Sequence, residues 1–182
     1  MITVYDSQGR PKVFVAEGGD MLNMFNPYNN EPPSSNYATL DTRNQHPVLD
    51  FDDTTDEAVV FTGILPRNYV GNGLTVIIHW VASTSTTITH YCRWQAAFEA
   101  LNEQDIDSDD FASAQSAGGN PNSTCGIETT TSIDFTDGAQ MDSIAIGGVF
   151  RLKINRDADG TSGTDDMSDD AELIFVEVKE TT

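Results

Sequence analysis

The chain has 182 residues, of which 38% are hydrophobic, and its 29 acidic residues outnumber 9 basic ones to give a formal charge of −20. Such a surface repels the phosphates of nucleic acids and anionic lipids, so we expect neither nucleic acid nor membrane as a partner. The length fits one domain with an appendage, and the sequence contains no stretch of about 18 apolar residues that would span a bilayer.

The first 36 residues differ from the rest and are predicted to form an extended N-terminal arm. Large apolar and aromatic side chains gather in its second half: Met21, Leu22, Met24, Phe25 and Tyr28. Pro32 and Pro33 then favour extended backbone. Because the segment is too short to bury these side chains alone, they need a partner surface, either the sandwich of the same chain or a neighbouring subunit. We predict that the five residues form an interface with another chain.

Residues 37–182 are predicted to form one all-β domain, because short segments with period-2 alternation are separated by turn signals. The eight predicted strands are 38–41, 48–51, 57–65, 74–83, 91–100, 127–135, 150–155 and 171–178. An eight-stranded antiparallel jelly-roll sandwich is the simplest arrangement of such strands. An immunoglobulin-like sandwich is the alternative, but the Cys and Trp spacing typical of that fold is missing.

The apolar faces of these strands predict the core of the sandwich. The expected core residues are Phe61, Trp80, Trp94, Phe98, Ile133, Phe135, Phe150, Leu152 and Phe175. Only one short helix is predicted, over 107–115, where acidic residues precede Phe111 and a Gly118-Gly119 pair follows. A further single turn is predicted within 137–144. Neither is long enough to be the crossover helix of an α/β fold.

No catalytic or metal-binding constellation is recognised, so we predict no enzymatic activity, no catalytic residues, no metal site and no cofactor. The chain has no nucleophile elbow and no glycine-rich phosphate loop. The three histidines, His46, His79 and His90, do not form a ligand set with a recognised spacing. Cys92 and Cys125 are expected to be unpaired thiols, and a disulfide bond between them is the alternative.

The loop that follows the seventh predicted strand concentrates negative charge. It holds six aspartates within residues 157–170, which favours either full solvation or a bound cation or basic partner. Arg156 ends the preceding strand and can bridge carboxylates with two parallel hydrogen bonds. We therefore predict a structural ion pair between Arg156 and the loop acids Asp157, Asp165 and Asp166, in preference to calcium.

One segment carries a family resemblance. Residues 147–157, Gly-Gly-Val-Phe-Arg-Leu-Lys-Ile-Asn-Arg-Asp, lead into the acidic loop and then into Asp170-Ala171-Glu172-Leu173. In this run the chain resembles jelly-roll virion proteins of tailed bacteriophages, and most closely capsid decoration (cement) proteins. It departs from the family pattern in the loop, where Asp165-Asp166 replaces Asp-Thr and Asp169 replaces Gly.

The resemblance implies a structural virion protein without catalytic residues. It would bind the major capsid protein on the outer capsid surface, stabilise the shell as a homotrimer, and be made in the host cytoplasm. The alternative is a receptor- or glycan-binding β-sandwich module of a phage tail or fibre, which would present exposed aromatic side chains in a groove or loop. The tyrosines predicted to lie in loops or in the arm are scattered, which favours the cement protein.

Overall fold

The computed structural model describes residues 2–5, 11–14, 21–84, 88–101 and 106–182, and within them the chain forms twelve β-strands. In chain order these are β1 (Ile2–Tyr5), β2 (Pro11–Phe14), β3 (Met21–Phe25), β4 (Thr39–Arg43), β5 (His46–Phe51), β6 (Glu57–Ile64), β7 (Leu74–Ala82), β8 (Cys92–Ala100), β9 (Gln115–Gly119), β10 (Thr129–Phe135), β11 (Val149–Arg156) and β12 (Ala171–Glu180). The helices of the described residues are two three-residue 3-10 turns, Pro27–Asn29 and Ala139–Met141, and neither could cross a membrane.

Two antiparallel sheets form the sandwich. The larger sheet has the order β10-β7-β12-β5-β4, and β3 pairs with β12 beyond the end of β5. The smaller sheet has the order β6-β11-β8-β9, while β1 and β2 form a separate hairpin. All eight strands predicted from the alternation are present as β4 to β8 and β10 to β12. The predicted all-β jelly-roll sandwich is therefore confirmed.

Aromatic side chains from the two inner faces meet in the centre of the sandwich. The rings of Trp80 and Trp94 lie 5.9 Å apart, and Phe51 packs edge-on against Trp94 at 4.9 Å. Phe98 makes similar edge contacts with Phe135 and Phe150. Eight of the nine predicted core residues are buried. These eight residues could be predicted from the alternation of apolar and polar residues, because each strand presents every second side chain to the opposite sheet.

Phe175 is the exception, and its predicted core position was wrong. The register of β12 against β7 shifts between Leu173 and Phe175, which is the signature of a β-bulge. The extra residue turns Phe175 to the outer face, where its ring packs edge-on against His79 at 6.3 Å. Val176 and Val178 fill the core instead.

The predicted helix over 107–115 is also wrong, because this region leads into strand β9. The strand pairs with β8 so that Gly119 lies opposite Cys92 and Gly118 opposite Arg93. A Cβ atom at Gly119 would lie 2.0 Å from the Thr131 hydroxyl oxygen, so the backbones approach closely here. The glycine pair thus marks close packing within a strand and not the end of a helix. The second predicted turn corresponds to the 3-10 turn Ala139–Met141.

The sandwich begins inside the predicted arm. Strand β3 pairs with β12 from Phe25↔Val176 to Met21↔Lys179, and Phe25 stacks on Phe61 with ring centroids 5.1 Å apart. Phe25 is only 5% exposed, and Leu22 is half-buried against the same core. The sandwich of the same chain therefore provides the partner surface for Leu22 and Phe25. A neighbouring subunit had been predicted to provide it.

Candidate functional site

Arg156 and Asp165 meet in the interior of the acidic loop. Nε of Arg156 donates to one carboxylate oxygen of Asp165 at 3.0 Å, and Nη2 donates to the other at 2.9 Å. Nη1 also donates to the backbone carbonyl of Asp169 at 2.7 Å, and Nη2 to that of Met167. The Arg156 side chain is fully buried. This arginine therefore closes the loop between β11 and β12 from within.

The other two predicted partners of Arg156 bind elsewhere. The buried carboxylate of Asp157 accepts hydrogen bonds from the hydroxyls of Thr161 and Ser162 and from the backbone amide of Ser162. Burial alone would raise the pKa of Asp157, but these hydrogen bonds outweigh it and lower the pKa below its ordinary value. Asp166 accepts a bond from the backbone amide of Tyr91 at 2.6 Å. Of the predicted loop acids, only Asp165 contacts Arg156.

Two acidic triads in the described part of the chain have the spacing that a cation requires. In each triad the carboxylate oxygens of the three residues lie within 4.8 Å of one another; the triads are Asp52, Asp53, Asp170 and Asp56, Asp157, Asp159. Oxygen ligands of this kind suit calcium or magnesium. Hydroxyl and amide groups of its own loop already donate hydrogen bonds to Asp157, so the second triad does not need a metal to hold this carboxylate in place.

Cys92, Cys125 and His79 are further side chains with reactive chemistry. Cys92 and Cys125 are both free thiols, and burial raises the pKa of Cys92 well above its ordinary value. His79 lies on the outer face of the larger sheet, where Nδ1 contacts Glu128 and Nε2 lies 3.5 Å from Glu177. The two glutamates hold the His79 ring in place on this face of the sheet.

Two of the predicted interface residues remain in solvent. Met24 is 54% exposed and Tyr28 is 68% exposed. The backbone of Met21 pairs with Lys179, while its side chain lies outside what the structure describes. Two further apolar residues, Ile64 and Val149, are direct cross-strand neighbours and are also exposed.

A polar cleft of about 430 Å³ opens on the outer face of the smaller sheet. Its floor follows one row of the sheet, in which Asn155 on β11 lies between Ala58 on β6 and Gln95 on β8. The row beside it places Lys153 between Val60 and Ala97. Because Ala58 is small, the two amide side chains and Lys153 border an open depression.

The segment before β4 forms one wall of this cleft. The backbone amide of Ala58 donates to the carbonyl of Asn36 at 2.8 Å, and the amide of Glu31 donates to that of Val60 at 2.8 Å. These bonds hold residues 33–36 along the free edge of β6, and Asn36 adopts a left-handed conformation with φ of 51° at the rim. Asn residues tolerate this conformation better than most. The exposed hydroxyls of Ser34 and Ser35 line the same wall.

Three carboxylates line the cleft, and each is engaged by a neighbour. Asp56 accepts a bond from the backbone amide of Asp159, and Glu57 accepts one from the amide of Asp52. The opposite wall holds Asp109, which binds the guanidinium of Arg151 at 2.5 Å. Arg151 also bonds to the buried Glu99 at 2.7 Å.

Phe111 covers the side of the cleft next to Arg151 and Lys153. Its ring centroid lies 5.1 Å from the Arg151 Cζ and 5.6 Å from the Lys153 Nζ. Both distances are those of cation–π contacts, which fix the direction of the long basic side chains. The arrangement offers amides, hydroxyls, carboxylates and one ammonium around a shallow floor, and these groups can bind a polar ligand by hydrogen bonds.

Sequence reasoning missed this cleft. Gln95, Lys153 and Asn155 appear in the sequence only as the polar half of two alternating strands, which is typical of any solvated sheet face. The one available signal was Ala58, a small residue between the larger Glu57 and Val59. It becomes informative only once the register places it next to Asn155.

A second cleft, of about 410 Å³, lies on the outer face of the larger sheet. Its floor is apolar, with Val48, Val81 and Ile174, and its rim carries Arg43 and His46. The guanidinium of Arg43 is bound to Glu172 at 2.6 Å and to the carbonyl of Ser83 at 3.0 Å. This cleft thus offers fewer available polar groups than the first.

No protein-family model and no curated protein matches this sequence. Among solved structures, the chain is similar to the CBM22-2 xylan-binding domain of Xyn10C from Paenibacillus barcinonensis, with 14% identity, a TM-score of 0.45 and coverage of 84% of this chain and 92% of that one. It is also similar to a family 11 carbohydrate-binding module from Clostridium thermocellum, with 11% identity, a TM-score of 0.41 and coverage of 90% and 96%. A third similarity is to the xylan-binding module CBM15, with 9% identity, a TM-score of 0.38 and coverage of 93% and 95%. Similarities this weak do not assign a ligand to the present chain.

Proposed function

We propose that this protein is a non-catalytic glycan-binding β-sandwich module, and that the polar cleft on the smaller sheet is its binding site. The observation that carries the proposal is the row Ala58–Asn155–Gln95, where two amides border an open depression on a rigid sheet. Together with the resemblance to phage virion proteins, this favours a module of a tail or fibre.

The donor and acceptor groups of the cleft suit sugar hydroxyls. An amide side chain offers two N–H donors and a carbonyl acceptor, so it can bind two neighbouring hydroxyl groups at once. Asn155 is half-buried and has no hydrogen-bond partner among the described residues, whereas Gln95 donates to the Ser162 hydroxyl at 2.5 Å. Because both side chains stand on paired strands, little conformational entropy is lost on binding.

The proposal is tested by calorimetric titration of the full chain against a panel of neutral and acidic oligosaccharides. Asn155→Ala and Gln95→Ala should each weaken binding about tenfold, which is the effect of losing a hydrogen bond of about 1.4 kcal/mol. Ser132→Ala, an exposed position on the outer face of the larger sheet, is the control and should bind like the unmodified protein. Absence of binding to every glycan, or full binding by both cleft variants, would contradict the proposal.

The second candidate function is a capsid decoration protein, which is favoured by the exposure of Met24 and Tyr28 beside β12. In this hypothesis the two side chains contact the major capsid protein or a second subunit of a homotrimer on the outer capsid surface. Met24→Ser combined with Tyr28→Ser should then abolish trimer formation in light scattering and co-sedimentation with assembled shells. Unchanged occupancy of the shells by the double variant would eliminate this candidate.

A further inference from the structure

Within the part of the chain that the structure describes, the cleft contains one positive charge, that of Lys153, which no carboxylate neutralises. Acidic residues outnumber basic ones 29 to 9, so most cations are expected to lie beside a carboxylate. Arg43, Arg151 and Arg156 do so, in ion pairs of 2.5–2.9 Å. Arg67, Arg93, Lys153 and Lys179 have no ion pair among the described residues, but of these four only Lys153 lines the cleft, where its Nζ lies over the Phe111 ring.

Each of the neighbouring carboxylates accepts a hydrogen bond from another group of the protein. Asp109, on the wall of the cleft, is held by Arg151, and Asp56 and Glu57 are held by backbone amides on the opposite side. Lys153 in turn is oriented by Phe111, which covers the neighbouring Arg151 as well. The three N–H donors of the ammonium therefore stay available at the cleft, one row from Asn155.

We infer that the ligand of the cleft is an acidic glycan, and that Lys153 binds the carboxylate of a uronic acid residue while Asn155 and Gln95 bind its hydroxyls. This inference rests on the proposed glycan-binding function and specifies its ligand class. One available ammonium matches one carboxylate. Polyanions are disfavoured because the formal charge of −20 acts on every additional negative group.

Long-range repulsion does not prevent this recognition. At physiological ionic strength, exposed charges are screened over about 8 Å, so distant acids contribute little, and the acids that oppose an anionic ligand are the three that line the cleft, Asp56, Glu57 and Asp109. A charge-assisted hydrogen bond is a short-range contact and is stronger than a neutral one. The contact at Lys153 consequently decides between an acidic sugar and its neutral counterpart.

The test compares two disaccharides, cellobiouronic acid and cellobiose, alongside the broader panel. They differ only in the carboxylate that Lys153 would bind. The unmodified chain should bind the uronic acid form about tenfold more tightly, which corresponds to about 1.4 kcal/mol. Lys153→Gln should remove this preference, and Lys153→Arg should restore it. Lys179→Gln, a lysine of the other sheet, is the control that removes the same charge and should keep the preference.

The outcomes separate the inference from the proposed function. Equal affinity for the two disaccharides, combined with loss of binding in Asn155→Ala, would overturn the acidic-glycan inference and leave the glycan-binding function standing. A preference for the uronic acid form that persists in Lys153→Gln would overturn the role of Lys153. Failure of both disaccharides and of the whole panel to bind would overturn the proposed function and the inference together.

Discussion

Arg156 and Asp165 form a buried two-point ion pair that fixes the loop between β11 and β12. The side chains are 0% and 2% exposed, and the two donor–acceptor distances are 3.0 and 2.9 Å. Burial alone would lower the pKa of Arg156, but the hydrogen bonds to Asp165 outweigh it and raise the pKa. The same guanidinium binds the carbonyls of Met167 and Asp169, so a single side chain holds both ends of the loop's second half.

Arg156→Lys should destabilise the protein by about 1.5–3 kcal/mol, the range for hydrogen bonds to charged groups. Lysine keeps the charge but cannot reproduce the two parallel bonds to Asp165 together with the carbonyl contacts. Arg67→Lys is the matched control, because Arg67 is exposed and its replacement should leave stability unchanged. Chemical denaturation of the three proteins measures the difference.

A chelator should not change the stability of the unmodified protein, since one acid of each triad, Asp52 and Asp157, already accepts hydrogen bonds from protein donors. The melting temperature is compared with and without EDTA. A decrease that is reversed by added calcium would show that one of the acidic triads is a cation site, and would contradict this expectation.

Gly119→Ala should destabilise the sandwich by about 1–3 kcal/mol through overpacking. The new methyl group would lie 2.0 Å from the Thr131 hydroxyl oxygen, which accepts the indole N–H of Trp80 at 3.0 Å. Gly118→Ala is the neighbouring control, because its nearest contact is the flexible ring of Tyr91 at 3.2 Å. Equal denaturation midpoints for the two variants would mean that β9 does not pack against β10 at this point.

Asp50→Asn should stabilise the protein at neutral pH by about 1 kcal/mol, after a discount for the exposed part of the side chain. Burial first, and then the charges of Asp170 and Glu172, raise the pKa of Asp50 from 3.8 to about 6. The folded state thus binds this proton more tightly than the unfolded state. The resulting stabilisation is complete below pH 3.8 and is lost as the pH rises through about 6.

Asp52 provides a control of opposite sign in the same region. Hydrogen bonds from Thr54 lower its pKa below 3.8, so its contribution to stability is present above pH 3.8 and is lost as the pH falls through the lowered folded-state pKa. Asp52→Asn should therefore reduce stability at neutral pH, where Asp50→Asn increases it. Denaturation curves between about pH 2 and about pH 8, which extend about two units below the ordinary pKa of Asp52 and about two units above the raised pKa of Asp50, measure both effects. A decrease for Asp50→Asn at neutral pH would contradict the assignment.

Phe25→Ala should cost about 3–5 kcal/mol, because it removes a ring that stacks on Phe61 inside the core. Met24→Ala, at the adjacent and exposed position of β3, should change the stability of the isolated chain by less than about 0.5 kcal/mol. Thermal or chemical denaturation of the two variants tests whether β3 belongs to the sandwich in solution. Two equally small effects would place the whole segment outside the sandwich.

The sequence alone was enough to predict the strands that carry the core. Leu74, Val76, Ile78 and Trp80 alternate with Thr75, Ile77 and His79, and the first four are fully buried. This succeeds because the two-residue period of a strand converts sequence spacing directly into a choice of face. The position of Arg156 at a strand end, next to a run of acids, likewise predicted an ion pair between this arginine and the loop. Its burial, and the choice of Asp165 as the acceptor, came only from the structure.

The sequence did not predict features that depend on how strands align. The bulge in β12 moves Phe175 outward and Val176 inward, and it arises from pairing with β7. The glycines of β9 resembled a helix end until their packing against Thr131 was known. Strand β3 also depends on a partner, since the edge of β12 that it covers lies about 150 residues later in the chain.

The candidate site is a tertiary property for the same reason. Ala58, Gln95 and Asn155 come from three separate strands, and only the register of β6, β11 and β8 aligns them in one row. Each of them obeys the local alternation, so the sequence predicts an ordinary solvated face. The alternation of side chains along each strand is local and can be read from the chain, whereas the cleft and the position of Lys153 in it follow from the pairing of distant strands, which the local pattern does not encode.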